Sequence, residues 1–326
     1  MYVIDPDGDM ILTLKNPCAP FAVWCEDDAT ASPGHQNSNS LAECNNENEQ
    51  TPIPSLVTFR ISSRHLSLAS GRTRKMRHQW EQEKQSDGHT HISVEDWDSA
   101  ALLTVMDIIH LRNRRVANSV TLEHLSQLAV IVDYFEFHEA VEVFSKRWIS
   151  NLQPEIPTSY CRDLILWIWV SHVFQEKKVL KNVINTAVQH SPGQMQSLGL
   201  PIPDSTINKV NKQRRAAAVQ IIDGLRTLRD GLLDDTQGCS YTCRCLLLGA
   251  LMKGLQPYHV FDSTSEPLSG HSLVNVIKNI HEIHTPSFKS NTCNCTMDGL
   301  TSSFLNKVKE DIKIPIVRRS PWGSWG

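Results

Sequence analysis

The apolar residues of this chain keep two different periods, and that change is what most limits its fold. Before Asp96 they come in short alternating runs bounded by turn formers; beyond it they recur every three or four residues. Alternation is the mark of a half-buried strand, and the longer spacing that of a helix with one apolar face. A chain built this way folds with a small sheet in its first part and helices gathered after it, an α+β arrangement.

The strand-like runs are specific. Residues 2–14 hold two apolar stretches around Asp5-Pro6-Asp7-Gly8-Asp9. Proline presets φ and glycine accepts a positive φ, so this stretch predicts a hairpin. The same acidic turn lacks the further oxygen ligands and the glutamate of a calcium loop, since Met10-Ile11-Leu12 stands there instead. Val57-Thr58-Phe59-Arg60-Ile61 alternates as a further strand, Ser62 to Ser70 reads as a short serine-capped helix, and His89 to Val94 as one more short strand. Between them, Arg72, Arg74, Lys75 and Arg77 followed by Glu81 and Glu83 read as a solvated helix, because only Trp80 offers a nucleic acid a stacking partner.

Residues 15–51 break the pattern. Six acidic residues, Glu26, Asp27, Asp28, Glu43, Glu47 and Glu49, stand against Lys15 alone, a balance of −5, and Ala19 to Trp24 holds the one apolar patch. Such a segment buries too little to offset its ordering entropy and is expected to be a disordered insert.

After Asp96, which can cap, Ala100 to Leu111 is apolar on nearly every side, as suits a helix within a bundle or under a sheet. Leu122, Leu125, Leu128, Ala129 and Val132 mark a second helix capped by Thr121, and Ala140, Val141, Phe144 and Trp148 a third. Pro154 and Pro157 then set a boundary, because proline removes an amide donor and disfavours helix in the residue before it. Beyond it Cys161–Phe174, Lys177–His190 and Ile207–Leu233 read as helices. The last carries Lys209, Lys212, Arg214, Arg215, Arg226 and Arg229 beside an apolar stripe. The organisation is therefore 1–152 and a helical 153–326.

Charge and composition exclude several function classes. The 326 residues hold 32 Lys+Arg and 35 Asp+Glu, a net charge of −3, so the whole molecule has no electrostatic pull toward DNA or anionic membranes. The longest apolar runs, Leu164–Val170 and Leu246–Met252, fall well short of the roughly 18 residues a bilayer span requires. Asp5, Asp7 and Asp9 occupy the place of a secretory n-region, so an intracellular chain, in cytoplasm or nucleus, is expected. Its nine cysteines are then expected to be thiols.

By this point the first half resembles a BTB/POZ domain, of the divergent type found in uncharacterised fungal proteins. The residues that carry the likeness are Val3 to Asp9 with Ile11-Leu12, Phe59 to Ser70, Val105 to His110, Leu125 through Phe135, and Trp148-Ile149; Gly270 to Leu273, and Cys293 with Gly299-Leu300, resemble the tail of those proteins. The likeness implies a small sheet with helical hairpins over 1–152, followed by an all-helical region. It also implies a non-catalytic protein–protein interaction module, an adaptor recruiting a cullin-type ubiquitin ligase or a transcriptional complex, or a homodimer. The chain begins at its first strand, so a dimer formed by exchange of an N-terminal extension is not expected. Where the family has Ser-Pro and an aromatic after the first helix, this chain has Ser70-Gly71-Arg72-Thr73-Arg74. An exposed apolar or aromatic patch on the scaffold of helices 97–111, 121–135 and 139–152 is the expected anchor for a partner.

Catalytic motifs are lacking: no Gly-x-Ser-x-Gly, phosphate-binding glycine loop or His-Glu-x-x-His occurs. The chemistry-bearing feature is a pair of late cysteine clusters. Cys239, Cys243 and Cys245 precede an apolar helix, and Cys293 with Cys295 follow His281 and His284. Cys239, Cys243, Cys293 and Cys295 offer four thiolates for a structural zinc ion. Neither cluster is Cys-x-x-Cys, and buried small hydrophobes, or a redox or disulfide role, are the competing readings. Zinc together with the basic helix 209–229 would make a nucleic-acid-binding protein, the alternative to the interaction module.

Overall fold

A computed structural model describes residues 1–17, 19–24, 56–82, 85–261, 267–285 and 294–313. It is a mixed α+β protein, mostly helical, with one four-stranded sheet. The strands are β1 (Tyr2–Val3), β2 (Met10–Lys15), β3 (Leu56–Ile61) and β4 (Thr90–Glu95). The sheet order is β1-β3-β2-β4; β2 runs antiparallel to β3 and parallel to β4, and β1 is parallel to β3.

That order corrects the expected hairpin. The two arms around Asp5–Asp9 do not pair with each other, because β3 lies between them. Its register sets Leu12 against Phe59 and Met10 against Ile61, placing four fully buried side chains on the core face. Tyr2 then pairs with Phe59 from the other side, and their rings stack at 5.2 Å. Gly8 makes the turn pass close over the end of β3. A Cβ there would lie 2.5 Å from the carbonyl oxygen of Ile61, so glycine is required by contact with a neighbouring backbone.

Between β3 and β4 stand α1 (Ser63–Ala69) and α2 (Gly71–Gln82). The cap of α1 differs from the expected one. The Ser62 side chain makes no cap bond, and Asp9 takes that role from the turn: its carboxylate accepts from the Ser63 backbone N–H at 2.8 Å and from the Ser63 hydroxyl at 2.7 Å. After the sheet come α3 (Ser99–Ile109), α4 (Leu122–Phe135) and α5 (His138–Leu152). Asp98, not Asp96, caps α3, accepting from Ala101 N–H at 2.7 Å, while Asp96 sits at φ 61° outside the helix. Thr121 caps α4 as expected.

The segment expected as a disordered insert begins as part of the fold. Lys15 ends β2, Ala22 is buried, and Arg162 donates to the carbonyls of Ala22 and Phe21 at 2.8 and 3.1 Å. The apolar patch that looked isolated in sequence is therefore pinned by an arginine far along the chain. Residues 25–51 lie outside the described residues.

The described part of the second region is helical: α6 (Arg162–Val173), α7 (Lys177–His190), α8 (Asp204–Leu233), α9 (Tyr241–Leu255), α10 (Leu273–His281) and α11 (Met297–Asp311). Every residue of α6 from Leu164 to Ser171 is buried. The helix packs on α4 and α7, and the Trp169 indole N–H donates to the Ser126 carbonyl at 3.2 Å. Through this contact the buried apolar residues of both regions join in a single cluster, from Ile4 to Ile312. The 30-residue α8 is the spine of the C-terminal helices and contacts α7, α9, α10 and α11.

Candidate functional site

Of the four proposed metal ligands, three come together. The sulfurs of Cys239, Cys243 and Cys295 lie within 4.8 Å of one another. Cys293 lies outside the described residues. None of the described cysteines, Cys161, Cys239, Cys243, Cys245 and Cys295, is in a disulfide.

Local chain geometry assembles this cluster. Cys239 directly precedes Ser240, which caps α9 by accepting the Cys243 backbone N–H at 3.2 Å, so Cys239 and Cys243 flank one helix N-terminus. Cys295 directly precedes Thr296, whose hydroxyl caps α11 by accepting from Gly299 N–H at 3.0 Å. Two helix N-termini thus meet at the three sulfurs. The loop leading in is shaped by Gly238, at φ 86°, where a Cβ would come within 2.8 Å of the Arg244 side chain. Gln237 N–H closes it on the Gly231 carbonyl at 2.8 Å, and Arg244 pairs with Asp235 at 2.6 Å.

Cys295 is hydrogen bonded to both Cys239 and Cys243. Burial pushes the Cys295 thiol up, opposed by hydrogen bonds from the Cys239 side chain and backbone N–H; Cys243 raises it further. Cys243 is buried, Cys295 half-buried and Cys239 exposed.

The neighbouring candidates take no part. Cys245 is exposed and lines a separate groove of about 810 Å³ between α9 and the end of α10, with Leu246, Lys253, Tyr258, Ile283 and His284. His281 is engaged on both ring nitrogens, with Asp298 at 2.6 Å from Nδ1 and Lys309 at 2.8 Å from Nε2. Nothing in the sequence pointed to the groove, because its walls come from helix faces that only tertiary packing sets opposite each other.

The basic helix is not a free cationic face. Arg214 is buried and donates to the carbonyls of Ser191, Pro192, Leu268 and His271. Arg226 donates to the Val260 carbonyl, and Arg229 pairs with Asp230 while lying over the Phe261 ring. Lys209, Lys212 and Arg215 remain exposed.

A second candidate is the outer edge of the sheet. β3 pairs with β2 along its whole length but with β1 only at Phe59 and Arg60, so Leu56 to Thr58 have no strand neighbour on that side among the described residues. Tyr2, Val3 and Leu56 are exposed there. Arg112 donates to the Val3 carbonyl at 3.1 Å, and the preceding residue, Leu111, is exposed.

No protein-family model, curated protein or solved structure matches this chain. Among the described residues, no helix is long and apolar enough to cross a membrane.

Proposed function

We propose that this protein is a non-catalytic, intracellular protein–protein interaction module of BTB/POZ-like type, with its helical C-terminal region docked on the same core. The element order supports it: β2, β3, the α1–α2 pair, β4, then α3 to α5. One observation carries the reading, the short-paired edge of β1 and β3 with Tyr2, Val3 and Leu56 exposed along it and Leu111 exposed beside Arg112, which bonds to Val3. An incompletely paired strand edge offers backbone groups to an added strand, and apolar side chains beside it supply the area that makes such pairing stable. The adaptor version recruits a cullin or a transcriptional complex; the self-associating version pairs two copies.

The test uses the full chain. Stoichiometric association with a defined protein, or self-association by light scattering, is expected to weaken at least 10-fold in Tyr2→Asp/Leu111→Asp, about 1.4 kcal/mol, with an unchanged circular dichroism spectrum. Identical partners for wild type and double variant would overturn the reading. Absence of a complex with a purified cullin at micromolar concentration removes the adaptor version.

A further inference from the structure

We propose that Cys239, Cys243 and Cys295 bind one zinc ion through three thiolates, joining the N-termini of α9 and α11. The proposal stands apart from the interaction reading and survives its failure.

The distances fit. A tetrahedral zinc with bonds of about 2.3 Å holds its sulfurs about 3.8 Å apart. All three sulfurs here already lie within 4.8 Å of one another, so closing on an ion asks for about 1 Å of movement. Rotation about the cysteine side-chain bonds supplies that without moving a helix.

The electrostatics fit as well. Three thiolates around a divalent ion leave one net negative charge. Two helix N-termini face it, each worth about half a positive charge, and Arg244 packs over Gly238 beside Cys239. The Cys239 backbone N–H already hydrogen bonds to the Cys295 sulfur, as backbone amides do around metal-bound thiolates. Soft thiolates select zinc or copper(I) over harder divalent ions, and three of them fill three positions of a tetrahedral zinc, the fourth falling to water on the side where Cys239 is exposed.

The role is structural. α9 and α11 both pack on α8, and the three sulfurs meet where their N-terminal ends approach each other. An ion there fixes the approach of α11, which the chain reaches only after residues 286–293. Each bound ion takes the place of three thiol protons, released to solvent as three zinc–sulfur bonds form.

Metal content of the full-length protein, purified without chelators, is the first measurement, and about one zinc per chain is expected. Replacement by cobalt should give a thiolate-to-metal charge-transfer band whose intensity reports at least three sulfurs, a readout that needs no variant to fold. Cys239→Ser, Cys243→Ser and Cys295→Ser should each weaken zinc retention by more than the roughly 10–100-fold that loss of an outer-shell partner costs. Cys161→Ser and Cys245→Ser should leave it unchanged. Only trace zinc in protein exposed to micromolar zinc, a cobalt band reporting fewer than three sulfurs, preferential copper(I) binding, or equal loss in Cys245→Ser would each overturn the proposal.

Discussion

The backbone N–H of Ser62, the residue before α1, donates to Nε2 of His110 at the end of α3, 3.0 Å away. The other ring nitrogen, Nδ1, lies 2.8 Å from the Met106 carbonyl, so the imidazole must carry its proton on Nδ1 and present a bare Nε2. The ring also packs against His65, with centroids 4.8 Å apart. A neutral histidine thus ties the strand-to-helix turn to the first helix of the bundle.

This makes stability depend on pH in a known direction. Burial holds His110 below its ordinary value of 6.5, with the charges of His65 and Arg112 acting the same way, against the Met106 hydrogen bond and Asp5. Burial also lowers His124, His190 and His271. The unfolded chain binds protons that the fold excludes. The contribution is therefore complete above pH 6.5 and lost as pH falls through the depressed folded values. Urea midpoints are expected to fall between pH 7.5 and pH 5, and to fall less in His110→Gln; a midpoint independent of pH in that range would refute the assignment.

Asp9 caps α1 from outside the helix, so its loss removes two hydrogen bonds at once. Asp9→Ala should destabilise the protein by about 1–2 kcal/mol, the range of a lost N-cap, and Ser63→Ala by less, since the backbone bond survives. Equilibrium denaturation of the two variants measures both, and equal effects would contradict the shared cap.

Arg214 is a structural cation. Four carbonyls converge on its guanidinium, from the C-terminal end of α7 and the segment before α10. Arg214→Met leaves them without a donor and should lose about 3 kcal/mol or more, at about 1.5–3 per bond to a charged donor and with incomplete additivity. Arg214→Lys should rescue little, because an ammonium cannot reproduce the planar fork. If the side chain served a nucleic acid, salt-dependent binding would fall while stability stayed unchanged.

Gly224 and Phe304 set the crossing of α8 and α11. A Cβ on Gly224 would sit 2.5 Å from the Phe304 ring. Gly224→Ala gains about 1 kcal/mol of helix propensity but overpacks the contact by about 1–3 kcal/mol, so a net loss is expected. In a Phe304→Ala background the clash is gone and the same change should stabilise. A double-mutant cycle that shows no reversal of sign would refute this packing.

Much of the fold is legible in local pattern. The helices α3, α4, α5, α7 and α8 stand where three-and-four spacing placed them, and Thr121 caps α4 as its position before an apolar run suggests. Errors cluster where two candidates are chemically equal. Asp96 and Asp98 are both able to cap; only a left-handed backbone at Asp96 takes it out of the helix. Ser62 looks like a cap until Asp9 arrives from the sheet. The thiols divide the same way. Cys239 and Cys243 are four residues apart at a helix start, hence neighbours by local geometry, whereas Cys295 joins them only because α9 and α11 pack on the same spine.

The amino-acid order by itself determined the strand-forming segments and the helices up to α9, because side-chain period and burial are properties of short stretches. It determined, too, that acid and base nearly cancel over the whole chain. Strand order, the pinning of Phe21 and Ala22 by Arg162, the engagement of Arg214 and the meeting of three sulfurs were decided by tertiary structure. Each depends on contacts between residues far apart in the chain, whose energies become available only after the intervening loops have closed.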